Sequence, residues 1–271
     1  MKIIHCYFDE TELIIDGNKC LALAGVFIED EYVESIRESL LELKAHLLDD
    51  QFTGKKEKSR IFHFAEDTQG IKSIIIDSMR DKEYRAYIAY KDLNTTYSET
   101  YISIVEKILY DRLQEKYYCK FQIYFEQNNK VNQVKMGIKM ENMITRIREN
   151  HPDLEFPSLE KVTKDNILSA IPDYVLGVFR SYHQIDRAPY MGLNFDKLRN
   201  KIRLIVDMKN GMYYSRSKPY IIHPIQKSVL LPVTSSNISS KSYLSPKSYW
   251  FRQVSHIVAL SKNYFLKIIS R

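Results

Sequence analysis

The sequence predicts an α/β protein. The expected architecture is a mixed sheet of about five strands with helices on both faces, a helical insertion after strand two and a basic C-terminal extension. Three observations predict it. Short apolar runs of strand length alternate with segments whose apolar residues recur every three or four positions. Turn residues join the first two runs, whereas helix-length segments separate the later ones, giving a hairpin followed by crossovers. The 271 residues are 44% apolar and 27% charged, the balance of a globular chain rather than a disordered or collagenous one.

The elements follow in order. Lys2 to Phe8 reads as a strand ending in Asp9-Glu10, and Cys20 to Ile28 as a second, with Asp16-Gly17-Asn18 as the turn between them. Val33, Ile36, Leu40, Leu43 and Leu47 mark a helix from Asp30 to about Leu48. A charged loop, Thr53 to Arg60, precedes the segment Ile61 to Asp67, and Ile71, Ile74, Ile75 and Met79 form the next helical stripe. Tyr84 to Lys91 is a strand, Tyr101 to Tyr117 a helix, Cys119 to Glu126 an alternating strand, and Val134 to Ile147 a helix. A short strand falls within Glu155 to Val162. Ile167 to Tyr182 is helical, and Pro172 either kinks that helix or lies in its first turn.

After about residue 185 the character changes. Residues 1–180 hold 25 Lys+Arg and 31 Asp+Glu, whereas residues 181–271 hold 15 and 3. This splits the chain into a core, 1–185 with its insertion at about 30–80, and a basic, mostly helical extension, 186–271. Phe195, Leu198, Ile202 and Ile205 are read as one basic amphipathic helix, residues 234–248 as a Ser-rich loop and residues 249–269 as a last helix. Such an asymmetry points to a polyanion partner. No Gly-rich phosphate loop is present. No apolar run reaches the ~18 residues a membrane span needs, so no membrane partner is expected. The three cysteines, Cys6, Cys20 and Cys119, lack metal or redox spacing and suit a reducing, cytoplasmic setting.

Two strands end in acids: Asp9-Glu10 after His5-Cys6-Tyr7-Phe8, and Glu126 after Phe121 to Phe125. Ligand sites gather at the carboxyl ends of strands in α/β sheets. If these two strands are parallel neighbours, their carboxylates converge, and a divalent cation relieves the repulsion. Asp173, flanked by Ile171 and Val175 in the apolar helix, is a third acid that is costly to bury without a charge partner. Oxygen ligands without Cys or paired His favour Mg²⁺ or Mn²⁺.

Four short motifs in this order resemble the bacterial domain-of-unknown-function family 3800, of RNase H-like fold (the ribonuclease H / retroviral integrase superfamily). Tyr7-Phe8-Asp9-Glu10 is similar to the first four letters of its Y-F-D-E-S-G signature, with Thr11-Glu12 in place of Ser-Gly. Phe62 to Asp67 resembles its F-H-A-x-x-D stretch, Tyr87 to Lys91 its strand ending in Lys, and Asp173-Tyr174-Val175 with Arg180 its late helix. The resemblance spans about residues 1–210. It implies a two-metal phosphodiester hydrolase in which Asp9 bridges two Mg²⁺ or Mn²⁺ ions and Glu126 and Asp173 complete their shells. Glu10 or Asp67 is then the fourth ligand, with Glu66 a weaker choice. His63 orders water or pairs with a phosphate, and Lys91 neutralises a phosphate. Lys197, Arg199, Lys201 and Arg203 would grip the backbone of DNA or RNA.

Two other readings stand beside the nuclease. The nuclease reading goes with a phage-defence or mobile-element context, with a protein partner or homo-oligomer left open; one alternative is a catalytically inactive RNase H-like nucleic-acid-binding or partner protein. The other is a metal-dependent hydrolase acting on nucleotides, which would have little use for the basic tail.

Overall fold

The computed structural model describes residues 2–49, 62–126, 128–163, 165–184 and 189–221. The expected charged loop at 53–60, the Ser-rich loop at 234–248 and the closing helix at 249–269 lie outside the described residues. Among the described residues, seven strands form one mixed sheet and six α-helices accompany it. In chain order the strands are β1 (Ile3–Ile15), β2 (Asn18–Glu29), β3 (Arg85–Asp92), β4 (Lys120–Glu126), β5 (Ser158–Val162), β6 (Ile202–Asp207) and β7 (Met212–Tyr214). The helices are α1 (Asp30–Asp49), α2 (Gln69–Arg80), α3 (Tyr97–Glu115), α4 (Gln133–Arg148), α5 (Ala170–Tyr182) and α6 (Pro189–Leu198).

The sheet order is β5-β4-β1-β2-β3-β6-β7. β2 runs antiparallel to both β1 and β3, while β4 lies parallel to β1 and β5 parallel to β4. The β1–β2 hairpin closes on the two-residue loop Asp16-Gly17, with φ of 49° and 78°. Positive φ at both positions gives a type I′ turn, whose twist matches that of the strands it joins.

That hairpin corrects one expectation. Asp9 and Glu10 do not end a strand: β1 continues to Ile15, because its pairing with β2 runs from Ile4↔Glu29 to Ile15↔Asn18. Only the parallel pairing with β4 stops, at Phe8↔Phe125. A second correction concerns the basic segment. α6 ends at Leu198, and Ile202 and Ile205 lie on β6, which pairs in parallel with β3. Ile202 and Ile205 face the core from β6, between β3 and β7, so their spacing marks buried strand positions beside a register shift rather than a helical stripe.

Alternation divides the core in two. From β1, Tyr7, Leu13 and Ile15 join the cluster with α1, α2, α5 and α6, while Ile4, Cys6 and Phe8 join the cluster with α3 and α4. Cys6, Cys20 and Cys119 are all buried and unpaired. No helix among the described residues is long and apolar enough to cross a membrane. Pro172 falls in the first turn of α5, where its missing N–H costs no helical hydrogen bond.

α5 meets the Phe62–Asp67 turn at Gly177. A Cβ built there would lie 2.1 Å from Phe64 Cγ, so the ring occupies the space a side chain needs. Phe64 also packs edge-on against Tyr174, at 5.3 Å between ring centres. Gly177→Ala is therefore expected to destabilise the chain by about 1–3 kcal/mol through overpacking, read as a lower urea midpoint with unchanged slope. An unaltered midpoint would mean the turn yields freely.

Candidate active site

One cavity of about 760 Å³ lies where the parallel pairing of β1 and β4 stops. Asp9 and Glu126 are the next residues in that register, on strands ~4.8 Å apart. Both follow the alternation of Tyr7 and Tyr124, so both point to the α5 side of the sheet. Asp173, in the first turn of α5, faces them, and all three carboxylates line the cavity. The fold thus brings these three positions to the wall of one cavity.

The Asp9 carboxylate accepts a hydrogen bond from the Glu10 backbone N–H at 2.8 Å. Burial pushes its pKa well above the ordinary range, and the nearby charges of Asp173, Glu10 and Glu126 push it further. Asp173 is also raised, by burial first, but Phe64 N–H at 2.7 Å, His63 and Arg180 pull against that. His63 Nδ1 lies 4.0 Å from Asp173 Oδ2 and is a buried nitrogen without a hydrogen-bond partner. Ser169 Oγ, on the same wall, is likewise buried and unpartnered.

Other expected site residues fall elsewhere. Glu10 points to the opposite side of the sheet, where Tyr97 Oη at 3.2 Å and Asn128 Nδ2 donate to it. Burial raises its pKa, and those two donors lower it. It reaches the cavity rim without facing Asp173. Asp67 does not line the cavity: its Oδ2 accepts from the His63 backbone N–H at 2.9 Å and from Tyr174 Oη, inside the turn. The F-H-x-x-x-D spacing allows Asp67 to cap its own turn, which is where it goes. Glu66 is exposed on the rim.

Lys91 lies three residues beyond the β3 position level with Asp9 (through Ala24 and Ile88) and is absent from the cavity wall. The basic set does not reach it either. Lys197 bridges α6 to Asp77 of α2 at 2.8 Å, and Arg199 pairs with Asp196 at 2.8 Å. Lys201 and Arg203 lie at the opposite end of the sheet. The cations that do line the cavity are Lys130 and Arg180, which the sequence reading left without a role. Arg180 was findable: it lies seven residues after Asp173, two helical turns along one face, with Leu176 and Gly177 between them on the wall. Asn128 and Lys130 come from the short β4–α4 connection and carried no periodic signal.

An oxygen-rich wall with mutually repelling buried carboxylates suits a hard divalent cation. Among the described residues, however, no group of three His, Cys, Asp or Glu side chains forms a ready ion cage. Asp173 commits Oδ2 to Phe64 N–H, which leaves Oδ1 as its ligating oxygen. Searched against models of known families and against curated proteins, the chain matches none.

Burial of the Asp9 carboxylate, reinforced by its acidic neighbours, has a pH signature. A folded-state pKa above the unfolded ~3.9 means the folded chain binds the Asp9 proton more tightly. The stability this contributes is present at low pH and is lost as pH rises through the folded value. Asp9→Asn, without added metal, should therefore be more stable than wild type at pH 7–8, on the order of 1 kcal/mol. The difference should close towards pH 4. Thermal melts across that range check it, and equal melts at pH 8 would show that Asp9 is not repelled.

Proposed function

We propose that this chain is a metal-dependent nuclease of the RNase H-like superfamily that hydrolyses phosphodiester bonds. The observation that carries this reading is that Asp9, Glu126 and Asp173 line one cavity, from two adjacent parallel strands and a facing helix. The order β5-β4-β1-β2-β3, with only β2 reversed among the five, supports the superfamily. So do the four motifs similar to family 3800. Three buried, unpaired cysteines agree with a cytoplasmic setting.

In this reading Asp9, Glu126 and Asp173 hold Mg²⁺ or Mn²⁺, which when bound acidifies a water and stabilises the leaving oxygen. Asp9, which feels the charges of both Asp173 and Glu126, would be the ligand common to the bound ions. The unpartnered His63 Nδ1, 4.0 Å from Asp173 Oδ2, orders a water or pairs with a phosphate beside Asp173. Arg180 and Lys130 provide the positive charge that draws a nucleic-acid backbone to an otherwise acidic wall. Glu10 keeps Tyr97 and Asn128 in place behind Asp9.

The lack of a ready three-ligand cage among the described residues favours one other reading, a catalytically inactive nucleic-acid-binding protein of the same fold. A cleavage assay on mixed DNA and RNA with Mg²⁺ or Mn²⁺ separates the two. The nuclease reading expects metal-dependent cleavage, abolished by chelation and reduced at least ~100-fold in Asp9→Asn and Glu126→Gln. Salt-dependent binding with no breakage under either metal would leave the inactive protein. Arg180→Ala should raise KM by roughly tenfold with a smaller change in kcat, because it removes a backbone contact rather than a metal ligand. A pure kcat loss would place Arg180 in the chemistry instead.

A further inference from the structure

We propose that a second cavity, at the opposite end of the sheet, is a phosphate-binding site that takes the phosphoryl group of a small ligand of about mononucleotide size. It occupies about 330 Å³, within the range of small-molecule sites, where β1, β3, β4 and β6 begin and α3 ends. None of its lining residues belongs to the carboxylate cavity.

Two independent observations carry the proposal. The first is unspent hydrogen-bonding capacity. Arg112 Nε and Arg203 Nε are buried, have no partner, and belong to side chains that line this one cavity. Buried donors left unpaired cost free energy, and a group in a native fold that bears this cost calls for a ligand or water. Both belong to guanidinium groups, whose planar fork suits phosphate oxygens.

The second observation is how Arg203 gets there. Between Ala86↔Ile202 and Tyr87↔Leu204 the β3–β6 register slips by one, leaving Arg203 with no partner across the strand. Such a bulge re-aims a side chain. Here it turns Arg203 towards the α3 side, where it joins Arg112. Burial lowers the Arg203 pKa, and Arg216 and Arg85 lower it further by like-charge repulsion. Arg112 lies 4.4 Å over the Tyr87 ring, which fixes the plane of its guanidinium.

Three acids share this wall with six Lys and Arg side chains. Glu29 is paired with Lys2 at 3.0 Å, Glu115 takes Arg112 Nη1 and leaves Nε directed elsewhere, and Glu83 is exposed and pulls against the lowering of the Arg203 pKa. Tyr32, an exposed ring on the rim, offers a flat face for a base or sugar above the phosphate. A phosphoryl dianion would neutralise the facing guanidiniums and satisfy the buried donors together.

Isothermal titration of the full chain with adenosine 5′-monophosphate tests the proposal, with inorganic phosphate as competitor and adenosine as the uncharged control. The expected result is binding of the monophosphate, competition by phosphate, and no binding of adenosine. Arg203→Met, which keeps the aliphatic stem, should weaken binding at least ~10-fold. It should also melt no lower than wild type in phosphate-free buffer, since it relieves repulsion. Should that variant fail to fold, Arg112→Gln reads the same loss from the other side. Asp9→Asn should bind the monophosphate as wild type does, so failure of the nuclease reading leaves this test intact. Equal binding of adenosine, no binding at millimolar monophosphate, or unweakened binding in both arginine variants would overturn the proposal. Arg203-dependent binding of an oligonucleotide lacking terminal phosphates, with none of the monophosphate, would also overturn it and assign the site to a nucleic-acid backbone.

Discussion

The candidate site depends on one mismatch of strand lengths. β4 ends its pairing with β1 at Phe8↔Phe125, while β1 runs on for seven residues held only by β2. At that step Asp9 and Glu126 stand side by side with no further strand to cover them, and they face the same side of the sheet. Had β4 continued, the two carboxylates would have been sealed between strands. Had β1 stopped with β4, Asp9 would have sat on a loose turn. The long hairpin holds Asp9 on a rigid element, and the short β4 opens the space in front of it.

α5 supplies the opposing wall, and the Phe62–Asp67 turn locks α5 in place. Two acids on the two sides of this contact do different work. Asp67 is consumed by the turn, accepting from His63 N–H and Tyr174 Oη. Asp173 holds Phe64 N–H with one oxygen while facing Asp9 across the cavity. Phe64, seated on Gly177, fills the gap between them. The charge repulsion stored at Asp9 is thus tolerated because apolar packing around α5 over-determines its position, as at functional sites generally.

The two ends of the sheet differ in charge. Carboxylates gather where β1 and β4 separate, and arginines gather where β3 and β6 begin. The basic segment after residue 185 contributes to the second end by entering the sheet as β6 beside β3, rather than by standing apart from it. Lys197 and Arg199, which share its charge, are spent on Asp77 and Asp196.

The sequence alone determined the order of strands and helices through Arg180, the hairpin turn that begins at Asp16, and the arrival of acids at 9, 126 and 173 beside apolar runs. Those features are local: periodicity, turn chemistry and the abrupt arrival of a charge after an apolar run are written in consecutive residues. What only the tertiary structure decided was which of several similar residues would face the cavity. Glu10 and Asp9 are neighbours in sequence, but a strand sends them to opposite faces, and Asp67 reads as a ligand until Tyr174, 107 residues on, claims it. Ile202 and Ile205 have helical spacing until a register slip with β3 makes them strand residues and turns Arg203 inward. Pairing partners and the commitments of each polar atom depend on residues distant in the chain, and no local pattern encodes them.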